Sequence, residues 1–360
     1  MRLGADGGLW STGPVAEAAP LTAVLEVSGA VLSWVIDGDP TPSFTFTDPD
    51  RADWLWQVLG APGHVAILDA LRHREPTEPV DLEGVDIRPG STDTLRRLAI
   101  GHWMRRWWPA SDRDGIAALD RGLLDAEIAL LTVTLEDYFT DDTFDSDVVG
   151  LLQPHLAHLN ALSAQVDPRI STLLGDCREL AGEIGLAWPD TAVAAPRRDD
   201  YALAAGAGNG AGPAGVIAHG VAGVDWSAVP PGVFDAAEQT VDWSVTAGTD
   251  VQAQVRVALV GPDSPAGIEV EVRGSGLRGS GVLDATGRAA LTLVDGDGQP
   301  LTETRAWNQD WAQVTARVGV HGATESAGVR DRVRAFARTR LAHPGGDAFL
   351  AEILAAESDY

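Results

Sequence analysis

Two periods divide the chain. Through the first 187 residues the strongest apolar signals recur every three or four positions, the spacing of one helical face; after residue 226 they recur at every second position, the spacing of one strand face. The earliest apolar runs are β-rich. LTAVLEV and AVLSWVI, between Leu21 and Asp39, are separated by Ser28-Gly29 and closed by Asp37-Gly38-Asp39, which predicts a hairpin. SFTFT follows with Phe44 and Phe46 on one face, so a small N-terminal sheet is expected.

Helices come next. Asp48-Pro49-Asp50 has the chemistry of a helix start and carries Trp54, Leu55 and Val58 inward. HVAILDALRHR is a second short helix that Pro76 and Pro79 stop. Leu95, Ala99, Trp103 and Trp107 recur every four residues up to Pro109, and a longer helix is predicted over 115–139 with Leu119, Leu123, Ile128, Leu131 and Leu135 buried. Val148 to Val166 continues with Pro154 as a kink, and Asp167-Pro168 caps a last helix through Leu186. Consecutive amphipathic helices with short connections predict an antiparallel bundle.

From Trp188 to Gly223 the periodicity vanishes and Ala, Gly and Pro take over. Too little side-chain surface is available there to offset the entropy of ordering, which predicts a flexible linker over 188–225. Beyond it, TDVQAQVRVALV, GIEVEVRG, AALTLV and WAQVTARVGV alternate apolar with polar residues, and Asp284-Ala-Thr-Gly287 and Asp295-Gly-Asp-Gly298 supply turns. This is the pattern of an antiparallel β-sandwich of immunoglobulin-like size, without the cysteine and tryptophan signature of true immunoglobulin domains. The last residues return to helix: Arg330, Arg334 and Arg338 line one face, and after His343-Pro-Gly-Gly346 an acidic helix carries Phe349, Leu350, Ile353 and Leu354. The expected fold class is therefore α+β and multidomain: a small sheet plus helical bundle (1–187), the linker (188–225), the sandwich (226–322) and a C-terminal helical hairpin tail (323–360).

Charge and cysteine content narrow the function classes. A net charge of -26 repels phosphate backbones and anionic membrane surfaces, so neither nucleic acid nor membrane is an expected partner. No lysine is present, which removes P-loop and Schiff-base chemistry. The single cysteine, Cys177, allows no intramolecular disulfide and sits in a helical pattern as a small apolar residue. With no long apolar stretch and no leader-like N-terminus, a cytoplasmic protein is expected.

Candidate chemistry is sparse. Gly274, Gly276 and Gly279 satisfy G-x-G-x-x-G after a strand, but no helix follows to hold a pyrophosphate, so a hairpin explains them. His155 and His158, three apart, could share a metal with Asp141, Asp142, Asp145 or Asp147, yet no recognised ligand set is formed. Asp295 and Asp297 suit a calcium loop only in part, because Ala306 stands where a bidentate Glu is needed. Glu136 and Asp137 are adjacent and diverge on a helix. No cofactor or metal is expected.

These readings point to a non-enzymatic protein-interaction protein, an adaptor or scaffold, compatible with an accessory role in a multi-protein signalling or defence system. The expected partner-binding residues are Arg105 and Trp108 in the Trp/Arg cluster, Trp307 and Trp311 near the last strand, and Phe349, Leu350, Ile353 and Leu354 in the tail. Two alternatives stand beside it: a hydrolase with a site around His102, Asp112, His155 and His158, and a carbohydrate- or peptide-binding sandwich that uses Trp307 and Trp311.

Overall fold

The computed structural model describes every residue except 7, 14–16, 18, 74–77, 137, 140–147, 190–214, 249, 275, 320–323 and 359–360. The fold is α+β, with an N-terminal antiparallel sheet, a set of helices and C-terminal antiparallel sheets. Its two compact units are each assembled from separated stretches of chain. Unit 1 takes Met1–Arg106, Leu119–Ala195 and Asp331–Tyr360; unit 2 takes Trp107–Ala118 and Pro196–Arg330.

Unit 1 opens with a six-stranded sheet. Its strands are β1 (Arg2–Asp6), β2 (Leu9–Ser11), β3 (Thr22–Val27), β4 (Ala30–Val35), β5 (Ser43–Phe46) and β6 (Val80–Asp81), in the order β3-β4-β5-β2-β1-β6 with antiparallel neighbours. The β3–β4 register pairs Leu25 with Leu32 and Val27 with Ala30, so the turn falls at Ser28-Gly29. Gly29 has φ +71°, and a Cβ there would stand 2.1 Å from the Asp48 carbonyl oxygen, so glycine is required twice over. Phe44 and Phe46 point inward, and Trp54 stacks on Phe44 at 6.1 Å while its indole N–H donates to the Ser28 carbonyl at 2.7 Å.

The helices of unit 1 are α1 (Leu55–His73), α2 (Asp93–Trp107), α3 (Arg121–Glu136), α4 (Val148–Leu152), α5 (Leu156–Leu162) and α6 (Pro168–Glu183). α1 is broken at Gly60, which adopts φ +75° two residues before Pro62. α4 and α5 are separated by a 3-10 turn containing Pro154, and Asp167 caps α6 by accepting from the Arg169 amide at 2.8 Å. The helix expected over 115–139 starts only at Arg121. Asp120 accepts from the Leu123 amide at 3.0 Å and fixes that start, and the preceding residues through Ala118 belong to unit 2. α3 lies at the centre, against α4, α5 and α6. Cys177 is fully buried on α6, and burial pushes its thiol up to about 12.

Unit 2 is a β-sandwich of two four-stranded antiparallel sheets. Its strands are β7 (Val216–Ala222), β8 (Val241–Thr246), β9 (Gln252–Val257), β10 (Glu269–Gly274), β11 (Leu277–Val282), β12 (Arg288–Thr292), β13 (Val294–Asp295) and β14 (Thr315–Val318), with a short helix α7 (Glu303–Trp307) before β14. One sheet runs β12-β9-β8-β7 and the other β13-β11-β10-β14. The alternating residues do as their period demands: Ala253, Val255, Val257, Val270, Val272, Ala289, Leu291, Ala316 and Val318 form the core between the sheets. The G-x-G-x-x-G stretch is the β10–β11 hairpin, and added Cβ atoms at Gly279 and Gly281 would come within 2.8 and 2.7 Å of Leu293 and Leu291.

Two departures concern the expected linker and tail. Residues 190–214 of the linker lie outside the described residues, but Val216–Ala222 is a strand, paired with β8 through a bulge. Small side chains do not prevent ladder hydrogen bonds, and at Gly220 a Cβ would stand 2.5 Å from the Trp243 ring, so the small residue makes room for a large one. The C-terminal helices α8 (Ala327–Ala342) and α9 (Leu350–Ser358) contribute to unit 1 from Asp331 onward, not to a separate tail. Phe349 is fully buried, and a Cβ on Gly101 of α2 would stand 2.7 Å from its ring and 2.8 Å from Ile128 of α3.

Candidate functional site

In unit 1 the polar side chains converge on α3. Asp125 is only 2% exposed, among Leu124, Ile128 and Ala129 of the same helix. Its Oδ1 is 2.7 Å from Arg105 Nε of α2, and its Oδ2 is 3.1 Å from His155 Nε2 in the turn before α5. Asp120, at the head of α3, sits 2.7 Å from His158 Nε2 of α5. Gly122 makes this approach possible, because a Cβ there would meet the His158 ring at 2.7 Å. The Asp120 hydrogen bond raises the His158 pKa above its ordinary value. Burial works to raise Asp120, but the His158 hydrogen bond and the Leu123 and Gly122 amides outweigh it and hold the carboxyl below the usual range. His102 of α2 is lowered to about 4, first by burial and then by the neighbouring Arg105, with Asp125 pulling the other way.

Of the four residues expected to form a hydrolase site, His155 and His158 are engaged by carboxylates at α3, His102 stays on α2, and Asp112 lies in unit 2. Each of His155 and His158 places its Nε2 against a carboxylate of α3. Among the described residues no serine, threonine or cysteine is bonded to either imidazole, and no group of three His, Cys, Asp or Glu side chains could hold a metal ion. The residues Asp137, Asp141, Asp142, Asp145 and Asp147 lie outside the described residues. What the cluster does with the chemistry it has is fasten α2 and α5 to α3.

A second network ties in α9. Arg97 of α2 reaches Glu127 of α3 at 2.9 Å, and Glu127 accepts the Leu350 amide at 2.5 Å. Burial lifts the Glu127 carboxyl above its ordinary pKa against the pull of that amide and of Arg97. Arg340 of α8 pairs with the fully buried Glu352 at 2.5 Å, and Glu352 also accepts the Phe349 amide at 2.8 Å. The basic and acidic C-terminal helices therefore pair with each other through Arg340 and Glu352. An open groove of about 530 Å³ is lined by Leu130 of α3, Leu173 of α6 and Ile353 of α9, with Arg97 and Arg169 at its rim. Both arginines are already held, Arg97 by Glu127 and Arg169 by Asp167 and Glu357 at 2.6 and 2.7 Å.

The expected partner-binding residues are distributed unevenly. Phe349 and Leu350 are buried and Ile353 and Leu354 half-buried, because α9 uses that stripe to pack within unit 1. Arg105 is bound to Asp125. Trp108, read from sequence as a surface residue, is 9% exposed in unit 2, where its indole N–H donates to the Ala117 carbonyl at 2.9 Å and folds the 107–118 segment on itself. Trp311 is half-buried against the sandwich core and donates to the Ala306 carbonyl at 3.0 Å. Trp307 alone of these aromatics is displayed, with 62% of its surface exposed.

Unit 2 also holds buried carboxylates, of which the sequence singled out only Asp295. Asp235, 2% exposed, accepts from the Ser111 hydroxyl at 2.7 Å and from the Ala237, Asp112 and Arg113 amides at 2.9, 3.1 and 3.4 Å. Glu325 accepts from the Trp226 and Ser227 amides at 3.0 and 2.8 Å. Asp295 closes its hairpin by accepting from the Asp297 and Gln299 amides and pairs with Arg305 of α7. The sequence signal for Asp125 was available, since an aspartate inside the stripe LLDAEIALL needs a buried partner. For Asp235 the local pattern shows only the Ala237 amide two residues on; its other donors, at Ser111, Asp112 and Arg113, lie more than 120 residues away.

Compared with protein-family models, with curated protein sequences and with solved structures, the chain matches none of them. Among the described residues no helix is long and apolar enough to cross a membrane.

Proposed function

We propose that the protein works by binding another protein, as an adaptor or scaffold, and that the face of unit 2 carrying Trp307 is a contact surface. The observation that supports this reading is the contrast between two tryptophans four residues apart. Trp311 is packed into the sandwich and uses its N–H inside the fold, whereas Trp307 extends from α7 with 62% of its surface in solvent. A large aromatic on a short, fixed element supplies apolar area at little entropic cost, the profile of residues that dominate interface energetics. α7 is fixed by the fully buried Ala306 and by the pairing of Arg305 with Asp295.

The adaptor reading also gives the buried ionic clusters of unit 1 a structural role, as fasteners between helices. Its test is photocrosslinking from position 307. With a benzophenone amino acid at 307 in the full chain, a discrete adduct is expected that excess unlabelled wild-type protein suppresses and excess Trp307→Ser does not. An adduct pattern indifferent to both competitors, or equal from a benzophenone at the exposed Asp263, removes the reading.

A further inference from the structure

We infer that the Trp307 face takes a cationic side chain, so that the partner presents arginine or lysine in a basic segment; this rests on the interaction reading above. Glu303 and Trp307 occupy the first and last positions of α7, four apart, and helical geometry stacks such positions on one face. Among the described residues Glu303 has no ion-pair partner, and Asp310 follows Trp307 by three positions with only one of its carboxylate oxygens engaged, by the Ala312 amide at 3.0 Å. The one cation of α7, Arg305, is two residues from both Glu303 and Trp307 and therefore on the other side of the helix, where Asp295 holds it. An indole with a free carboxylate one helical turn away on the same face, and with the local arginine drawn to the other side, is the arrangement that receives a guanidinium or ammonium group through its π face and its charge together.

The rest of the molecule favours the same occupant. A chain with a net charge of -26 repels an acidic partner at long range and draws in a basic one. That attraction is diffuse and would act at every acidic surface, so the test must separate it from a local site. An octa-arginine peptide is titrated calorimetrically into the full chain at moderate salt, with Trp307→Ala, Glu303→Gln and, as a charge-matched control, Asp263→Asn. Trp307→Ala removes no charge and its ring is exposed, so the fold is retained; circular dichroism confirms this for each variant. Trp307→Ala and Glu303→Gln are each expected to weaken binding by about three- to fivefold, and Asp263→Asn by less than twofold.

Equal affinity for wild type and Trp307→Ala overturns the inference, as does equal weakening by Glu303→Gln and Asp263→Asn, because either result leaves only diffuse attraction. Failure of the inference and failure of the interaction reading are distinguishable. A competitor-sensitive adduct at 307 with peptide binding indifferent to Trp307 sinks the cationic partner and keeps the protein contact. Trp307-dependent peptide binding without any adduct sinks the protein contact and with it the basic partner, and leaves only a cation-binding site at Trp307.

Discussion

The two units bury carboxylates for different reasons. In unit 1, Asp125, Glu127 and Glu352 face Arg105, Arg97 and Arg340 from other helices, and the backbone amides they accept are confined to the start of α9. In unit 2, Asp235, Asp295 and Glu325 accept mainly backbone amides of loops and turns. The difference follows from the backbone. A helix satisfies its own peptide groups except at its ends, so a buried charge between helices must find another side chain. A sandwich leaves its connections with unpaired amides, and a carboxylate that gathers them orders the loop. Side-chain pairs link elements; amide-gathering carboxylates shape segments.

The largest expected effect comes from breaking the side-chain mode. Asp125→Ala leaves Arg105 and His155 without their carboxylate and is expected to destabilise unit 1 by about 3 kcal/mol, the low end for a broken buried pair because Arg105 retains 30% exposure. Hydrogen exchange resolved by peptide should show α2, α3 and α5 opening together while the sandwich strands keep their protection. Loss confined to α5 would mean that Asp125 fastens one helix, not three. The amide-gathering mode should fail more locally. Asp235→Ala strands the Asp112, Arg113 and Ala237 amides and the Ser111 hydroxyl, of which water can recover part, for an expected cost of about 2 kcal/mol. Residues 107–118 should exchange faster and become the first site of proteolysis, with β8 and β9 little changed.

The pH dependence should separate the units further. The His102 pKa falls from 6.5 to about 4 in the folded protein, so its contribution is present above pH 6.5 and is lost as pH falls toward 4; at about 1.4 kcal/mol per unit the ceiling is about 3 kcal/mol. His158 has the opposite sign: its folded pKa is raised, so its contribution is full below 6.5 and is lost as pH rises through the folded value. Unit 1 is therefore expected to be most stable near neutrality. In unit 2 the Gln299 amide leads the contacts that hold Asp295 below the ordinary carboxylate value, so its contribution persists until pH falls through that lowered value. Denaturation followed by hydrogen exchange at pH 7 and pH 5 should weaken unit 1 selectively, and His102→Phe should flatten its acid limb.

A steric perturbation ranks next. Gly101→Ala on α2 places a methyl group 2.7 Å from the Phe349 ring and 2.8 Å from Ile128, and overpacking of this kind costs about 1–3 kcal/mol. The expected readout is loss of protection in α9, which the wild-type protein holds through Phe349, Leu350 and Glu352. If α9 retains its protection, the helix is not seated by that contact.

The fold was legible where a period acts on large side chains. The β3–β4 hairpin, the Pro154 break, the Asp167 cap and the alternating strands β9, β10, β12 and β14 all follow from local patterns. The rest depended on partners far along the chain. β7 was hidden because Val216–Ala222 has few large residues, and only its pairing with β8 makes it a strand. Trp108 reads as a surface residue until the 107–118 segment closes over it. The tail residues Phe349 and Leu350 look like a docking stripe from sequence, since amphipathicity shows that a face must be covered and not by what. The same ambiguity governed His155 and His158, whose fastening role needs Asp125 and Asp120, about thirty or more residues earlier.

The smallest expected effect is the one that most sharpens the contrast. Trp311→Ala opens a cavity beside the sandwich core and removes a hydrogen bond to Ala306, so unit 2 should lose about 1–2 kcal/mol, well below the full tryptophan range because the ring is half-buried. Trp307→Ala removes a ring of the same size from the neighbouring turn. Its surface already faces water, so the folded state gives up little that the unfolded chain does not, and the change should lie within about 0.5 kcal/mol. Such neutrality would mean that the fold does not require an indole at 307, which is the condition for assigning the residue to binding. A loss at 307 comparable to that at 311 would place both tryptophans in the architecture of the sandwich and leave its surface without an aromatic anchor.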